Sequence, residues 1–159
     1  MNNHGVYVGS FDPPTLGHLD VIERASLLCA HLTVGVGINP SKTPMFPAVM
    51  RVEMLQEAIK TKRLKNVSVS SFEGLAVDFV RNQRADRLIR GLRPVADFDM
   101  EYQQAVLNRQ ISNLETQFLI CSPEYQVVSS GAVKELHRLG VDVSKMVPPN
   151  VFEALKLVK

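Results

Sequence analysis

Cysteine is scarce in this chain, and charge of neither sign dominates it. Of 159 residues only Cys29 and Cys121 are cysteines, and they lack the C-x-x-C spacing of a redox or zinc site. That pattern argues for a reducing compartment, read as the cytoplasm, with both thiols buried as small apolar groups. Lys and Arg number 18 against 16 Asp and Glu, too small a surplus for a protein that neutralises a long phosphate backbone, so nucleic acid is not an expected partner. Residues 1–4 have neither the basic start nor the apolar run of an export signal. The longest uncharged stretch, residues 25–41, contains His31, Asn39 and Pro40 and falls short of the roughly 20 apolar residues that cross a bilayer. No membrane partner is expected. Repeats, low-complexity tracts and linkers are missing too. A chain of this length, 45% hydrophobic, suits one domain over 1–159 that buries roughly 70% of its unfolded surface.

What is present is an alternation of short apolar runs with amphipathic segments. Strands are expected at 5–9, 32–38, 67–72, 87–89 and 116–121. Between them, Leu19, Ile22, Ala25 and Cys29 recur at helical spacing from Gly17 onward, and Val52, Leu55 and Ile59 do the same. Further helices are expected at 75–82, along Phe98, Tyr102, Ala105 and Arg109, at 132–139 and at 150–158. Strands joined by crossover helices give a parallel sheet covered on both faces. The expected fold class is α/β, a doubly wound five-stranded parallel sheet.

In such sheets ligands gather beyond the carboxyl ends of the strands, and four loops there carry chemistry. The first, S-F-D-P-P-T-L-G-H over 10–18, places Gly17 and His18 where a helix begins and its unpaired amides attract anions. The second holds Lys42, an ammonium suited to phosphate as a point charge, although a lone lysine is ordinarily solvated. The third, Arg90-Gly91-Leu92-Arg93, sets two guanidiniums about a glycine; they could fork phosphate oxygens or pair with Asp97 or Asp99. The fourth, residues 125–131, ends in Ser129-Ser130-Gly131 at a helix start, where either serine could be an ordinary N-cap. Neither G-x-G-x-x-G nor G-x-x-x-x-G-K-[ST] occurs, and no zinc spacing or nucleophile elbow is found. The converging groups suit a polyphosphate. A phosphate acceptor is its own nucleophile, because a second pKa of about 6 leaves it largely dianionic at neutral pH. Catalysis then reduces to positioning and charge stabilisation.

The first loop resembles the [T/S]-F-D-P-x-T-x-G-H signature of the nucleotidyltransferases related to class I aminoacyl-tRNA synthetases. The block L-I-R-G-L-R-P-V-A-D-F over 88–98, with Glu101 and Asn108-Arg109, and the segment P-S-K-T-P-M-F over 40–46 extend the likeness. Over essentially its whole length the chain resembles the phosphopantetheine adenylyltransferases, bacterial enzymes of coenzyme A synthesis. The resemblance implies a Rossmann-like nucleotidyltransferase fold and transfer of the adenylyl group of ATP to 4'-phosphopantetheine, giving dephospho-coenzyme A and pyrophosphate without a covalent intermediate. It implies magnesium held mainly through ATP phosphates, with no carboxylate cage and no metal-ligating residues of the chain. Feedback by coenzyme A and a homohexamer follow from the same likeness, with the amphipathic segment 98–110 able to supply an interface.

Carried over residue by residue, His18 would stabilise the transition state, assisted by Lys42 and Arg90. ATP would contact Ser10, Phe11, His18, Gly91, Leu92, Arg93, Glu101, Tyr125, Gln126, Val127, Val128, Ser129, Ser130 and Gly131. Ser10, Lys42, Ala76 and Arg90 would hold phosphopantetheine. The chain also departs from the family pattern. Ser10 stands where threonine is commoner, Leu16 where asparagine is frequent, and residues 47–50 lack the usual acidic-basic helix start. Gly131 replaces a hydroxyl residue, so the ATP contact there is backbone-only or absent. A sister enzyme acting on nicotinate mononucleotide or glycerol phosphate would share the first loop and the serine turn, but the R-G-L-R block argues against it. A nucleotide-binding regulatory module that has lost turnover is favoured only by Gly131, and a purely structural oligomer would have no reason to gather cations at one sheet edge.

Overall fold

A computed structural model describes residues 3–93 and 95–158, the side chains of 95–97 excepted. Pro94 and the Asp97 side chain, both in the block quoted above, lie outside the described residues. In chain order the elements are β1 (His4–Gly9), α1 (Leu16–Leu28), β2 (His31–Ile38), α2 (Ala48–Thr61), β3 (Val67–Glu73) and α3 (Ala76–Asn82). They continue with β4 (Arg87–Leu92), α4 (Val95–Ser112), β5 (Glu115–Ile120), a 3-10 turn at Pro123–Tyr125, α5 (Ser130–Arg138) and α6 (Pro149–Leu155). Most ends fall within a residue or two of the sequence expectation, as fraying termini do. The last helix stops at Leu155 rather than 158, α5 starts two residues early, and β4 runs three residues past its expected end.

The strands are parallel throughout, in the order β3-β2-β1-β4-β5, which is the doubly wound α/β sheet expected from the alternation. Right-handed crossovers carry the chain outward from β1 to β3 with α1 and α2 on one face. The return from β3 to β4 must then place α3 on the other. The side chains follow this division. Tyr7, Val34, Val36 and Ile89 pack with Leu19 and Ile22 of α1 and with Leu55 and Ile59 of α2, whereas Val6, Val8 and Leu88 face Phe79 and Val80 of α3. A third cluster joins Phe46, Met54 of α2, Val133 of α5 and Val151 and Leu155 of α6, so the segment carrying Lys42 is seated on its own apolar base. Both cysteines are buried. Among the described residues no helix is long and apolar enough to cross a membrane.

One glycine permits this layering. A Cβ at Gly35 would fall inside the contact radius of Phe79 Cε1 and 3.1 Å from Phe72 Cε1. Those two rings stack at 4.4 Å between centroids, 12° from parallel, directly over β2. Gly35→Ala must push the stacked pair off the sheet, an overpacking cost of about 1–3 kcal/mol. Urea unfolding should show the lower midpoint with an unchanged slope.

Candidate active site

β1 and β4 are neighbours in the sheet, but they pair only as far as Tyr7 and Ile89. Beyond that point β1 stays with β2 through Gly9, and β4 stays with β5 through Leu92. Arg90, Gly91 and Leu92 are therefore strand residues, not the loop expected from sequence; β5 holds them, and the short segment Arg87-Leu88-Ile89 does not by itself reveal that partner. The strands part where the strand order reverses, the position at which open α/β sheets bind ligands. Into the gap opens a cleft of about 450 Å³.

His18 lines this cleft half-buried, and its orientation follows from how α1 begins. Thr15 is the N-cap: its Oγ1 accepts the His18 amide, while the Thr15 amide donates to His18 Nδ1 at 3.0 Å. This is a capping box with histidine in the place of the usual Glu or Gln. A ring nitrogen that accepts from a backbone N–H carries no proton, so in the neutral ring Nε2 is the donor. Neutrality is enforced: burial first, then the guanidiniums of Arg93 and Arg90, hold the imidazole down to about 3 from the ordinary 6.5. Phe11, at φ 47° and 1% exposed, sets its ring edge-on to His18 at 4.9 Å. Its ring is thus a support beneath the imidazole, and Phe11 does not line the cleft. The Leu16 amide donates to Met146 O, whereas the amide of Gly17, a residue that lines the cleft, has no partner among the described residues.

Arg90 forms one wall. Its Nε and Nη2 donate to the two carboxylate oxygens of Glu101 at 2.7 and 2.5 Å, and Nη1 donates at 2.7 Å to Val8 O, a carbonyl that β4 no longer pairs. The acid that pairs with Arg90 is Glu101 on α4, which the sequence reading had not weighed as its partner. Burial works against the charge of Arg90, but the hydrogen bonds and charge of Glu101 outweigh it and raise its pKa. Gly91 beside it is needed for space, since a Cβ would lie 2.9 Å from Val21 Cγ2 of α1. Tyr7 floors the cleft as a neutral phenol, pushed up to about 12 by burial against the pull of Arg90 and Arg93.

The fourth segment closes the cleft. Ser129 caps α5 by accepting the Ala132 amide at 3.0 Å, and Ser130 Oγ donates to Pro13 O. The amides of Ser130 and Gly131 have no partners among the described residues, so the backbone at Gly131 remains available to an anion despite the missing hydroxyl. Val128, Ser129, Ser130, Gly131 and Arg93 line the cleft. Tyr125, Gln126, Val127 and Leu92 do not: Leu92 is 9% exposed and Val127 82%, one facing the core and the other solvent.

Two smaller clefts adjoin the first. One, of about 430 Å³, shares Ser10, Ser130 and Gly131 with it and contains Lys42. The other, of about 280 Å³, shares Arg90 and Glu101 and contains Ala76. The Lys42 cleft also holds two cations that sequence reasoning missed, Arg51 and Lys134. Lys134 follows Ser130 by four residues, hence on the face of α5 that starts at the anion-attracting terminus, and that spacing was a readable signal. Among the described residues no group of three or more His, Cys, Asp or Glu side chains converges to hold a metal ion. The nearby carboxylates are already engaged, Glu101 by Arg90 and Asp12 by the Met45 and Phe46 amides and Lys134.

A family model described as cytidylyltransferase-like matches residues 6–136. Among solved structures, the chain is similar to a nicotinate-nucleotide adenylyltransferase candidate from Vibrio parahaemolyticus (TM-score 0.71, 21% identity, covering 98% of this chain and 99% of that one). It is also similar to the Plasmodium falciparum nicotinic acid mononucleotide adenylyltransferase complexed with NaAD (0.73, 14%, 99% and 96%). A third likeness is to a bifunctional NMN adenylyltransferase/ADP ribose pyrophosphatase from Francisella tularensis (0.74, 12%), where 99% of this chain covers 49% of that one. At these identities the likeness is one of fold: the Rossmann-like nucleotidyltransferase architecture.

The depressed His18 pKa ties stability to pH. An unfolded chain protonates this ring near 6.5 and the folded chain does so only near 3. Protons therefore favour the unfolded state across that window, and stability falls as pH drops through it. His18→Gln keeps the capping geometry and removes the titration, so the difference in thermal midpoint between pH 7 and pH 4 should be smaller in the variant than in the parent.

Proposed function

The chain belongs to the cytidylyltransferase-like family, and on that premise we propose that it transfers the adenylyl group of ATP to 4'-phosphopantetheine, releasing pyrophosphate and forming dephospho-coenzyme A. The observation that carries this reading is the set of adjoining clefts that meet at Ser10 and Arg90, with the neutral His18 donor lining the central one. The nucleotide takes the central cleft, its phosphates against the amides of Gly17, Ser130 and Gly131, all three in the first turns of two helices. The acceptor phosphate lies toward Ser10 and Lys42. The rest of an extended acceptor passes Arg90 to the Ala76 cleft, whose walls include Leu75, Leu88 and Ala105. The R-G-L-R block supports phosphopantetheine over the nicotinate mononucleotide named for the structural neighbours.

In the reaction an oxygen of the acceptor phosphate forms a bond to the α-phosphorus of ATP, and the bond from that phosphorus to the bridging oxygen breaks, with pyrophosphate leaving in line. No proton is transferred at phosphorus. His18 Nε2–H donates to the non-bridging oxygen that gains charge, and Lys42 and Lys134 neutralise the phosphates on either side of the break. Magnesium, brought by the triphosphate, would supply further charge neutralisation there. Homo-oligomer assembly, a hexamer by the same likeness, is supported by the exposed Phe98, Met100, Tyr102, Leu107 and Ile111 of α4. Coenzyme A as a feedback ligand belongs to the same proposal.

Pyrophosphate release with ATP, magnesium and one acceptor at a time tests the substrate. Phosphopantetheine should support turnover, and nicotinate mononucleotide and glycerol phosphate should not; turnover with nicotinate mononucleotide alone would reassign the acceptor. His18→Gln should lower kcat about 10²–10³-fold while ATP affinity changes less than about threefold, as for a donor engaged mainly in the transition state. Equal losses in both would count against that role. The acid limb of the parent profile should fall near the acceptor's second pKa of about 6 and persist in the variant.

A further inference from the structure

We infer that Arg51 is a positioning residue that fixes the Lys42 loop against Ser10, and so sets the acceptor side of the site; the inference deepens the function proposed above and rests on it. Arg51 is a charged side chain only 3% exposed. It occupies the inward stripe of α2 shared with Leu55 and Ala58, where an apolar residue would ordinarily pack. Its hydrogen bonds go to three carbonyls from three segments. Nε donates to Phe46 O at 2.9 Å, and Nη1 donates to Ser10 O at 2.5 Å and to Gly37 O at 3.2 Å. No ion pair to Arg51 is found among the described residues. A buried cation held by neutral carbonyls contributes little net stability compared with a well-packed apolar side chain, so its value lies in geometry.

The other half of the arrangement is Asp12. Its carboxylate accepts the Phe46 amide through Oδ1 and the Met45 amide through Oδ2, both at 2.8 Å. The Phe46 peptide groups are therefore held by a negative charge on the amide side and a positive charge on the carbonyl side, above a ring that is 2% exposed. At the far end, Asn39 Oδ1 accepts the Ser41 amide and hydroxyl, and Asn39 O accepts the Lys42 amide. Lys42 itself is exposed, and its ammonium has no partner among the described residues. Its position is consequently that of the short segment between two anchors. Because the same guanidinium also holds the Ser10 carbonyl, a single side chain registers Ser10 and Lys42 to each other, two groups on the path assigned to the acceptor.

Arg51→Gln that retains its circular-dichroism spectrum should raise the acceptor KM at least about tenfold, since ångström-scale misplacement of a binding group is costly. The dissociation constant of ATP, titrated without acceptor, should stay within about threefold of the parent value. Arg51→Lys, which keeps the charge but not the span of Nε and Nη1, should not restore the KM. Amide exchange at Met45 and Phe46 should accelerate at least about tenfold in Arg51→Gln, with β1 unchanged. Parallel losses for ATP and acceptor, rescue by lysine, or unaltered exchange would each overturn the inference. Should neither variant fold, the parent protein still decides: its Phe46 amide should exchange as slowly as those of β1, and exchange as fast as at residues 41–43 would refute the clamp. If the parent turns over no acceptor, the functional reading fails, while the exchange measurements continue to test the clamp on their own terms.

Discussion

Everything at this site depends on two parallel strands ceasing to pair. β1 and β4 exchange backbone hydrogen bonds only to Tyr7 and Ile89, and each then continues beside its outer neighbour. The separation exposes the Val8 carbonyl, which needs a donor once the ladder has ended, and Arg90 reaches across to supply it. That one contact brings a strongly basic group into one wall of the opening. It also places Glu101, and with it α4, along one wall. Gly91 keeps the other side narrow enough for Val21 of α1 to approach, so the dimensions of the opening are set by backbone and core packing rather than by surface loops.

The electrostatics follow from that confinement. Burial, reinforced by two nearby guanidiniums, disfavours the protonated form of the imidazole, and the helix cap decides which nitrogen keeps the proton. A neutral donor aimed at a developing charge needs no titration to work, whereas a cationic histidine would be lost at physiological pH in these surroundings. Positive charge is supplied instead by Lys42 and Lys134, with amides at two helix starts adding partial charges that do not titrate at all. The division suits a reaction in which charge moves between oxygens while no proton changes hands at phosphorus.

How much of this was legible in the sequence varies with the range of the interaction involved. The alternation of apolar runs and amphipathic segments sufficed for the five-stranded α/β sheet, because each element carries its own periodicity. The S-F-D-P-P-T-L-G-H string was equally readable: Thr15 and His18 are three residues apart, and their reciprocal bonds are local. The end of β4 was not, since only pairing with β5 keeps residues 90–92 extended. Nor was the pairing of Arg90 with Glu101, a residue the resemblance offered only as a nucleotide contact. Phe11 was carried over as a ligand contact by the resemblance, and its ring turns inward under His18. Arg51 was overlooked because an arginine in a helix is ordinarily solvated; its place in the Leu55 and Ala58 stripe was the sign that it is not.

Arg90 was read from sequence as an open fork, and the structure fills the fork from within. A guanidinium has five N–H groups, and three of them already serve Glu101 and Val8. An incoming anion meets only the two that are left unless it displaces the resident carboxylate. Glu101 thus behaves as an internal placeholder, a carboxylate anchored on α4 that occupies the face an outside anion would otherwise take. The site carries its own competitor for any anion that approaches Arg90.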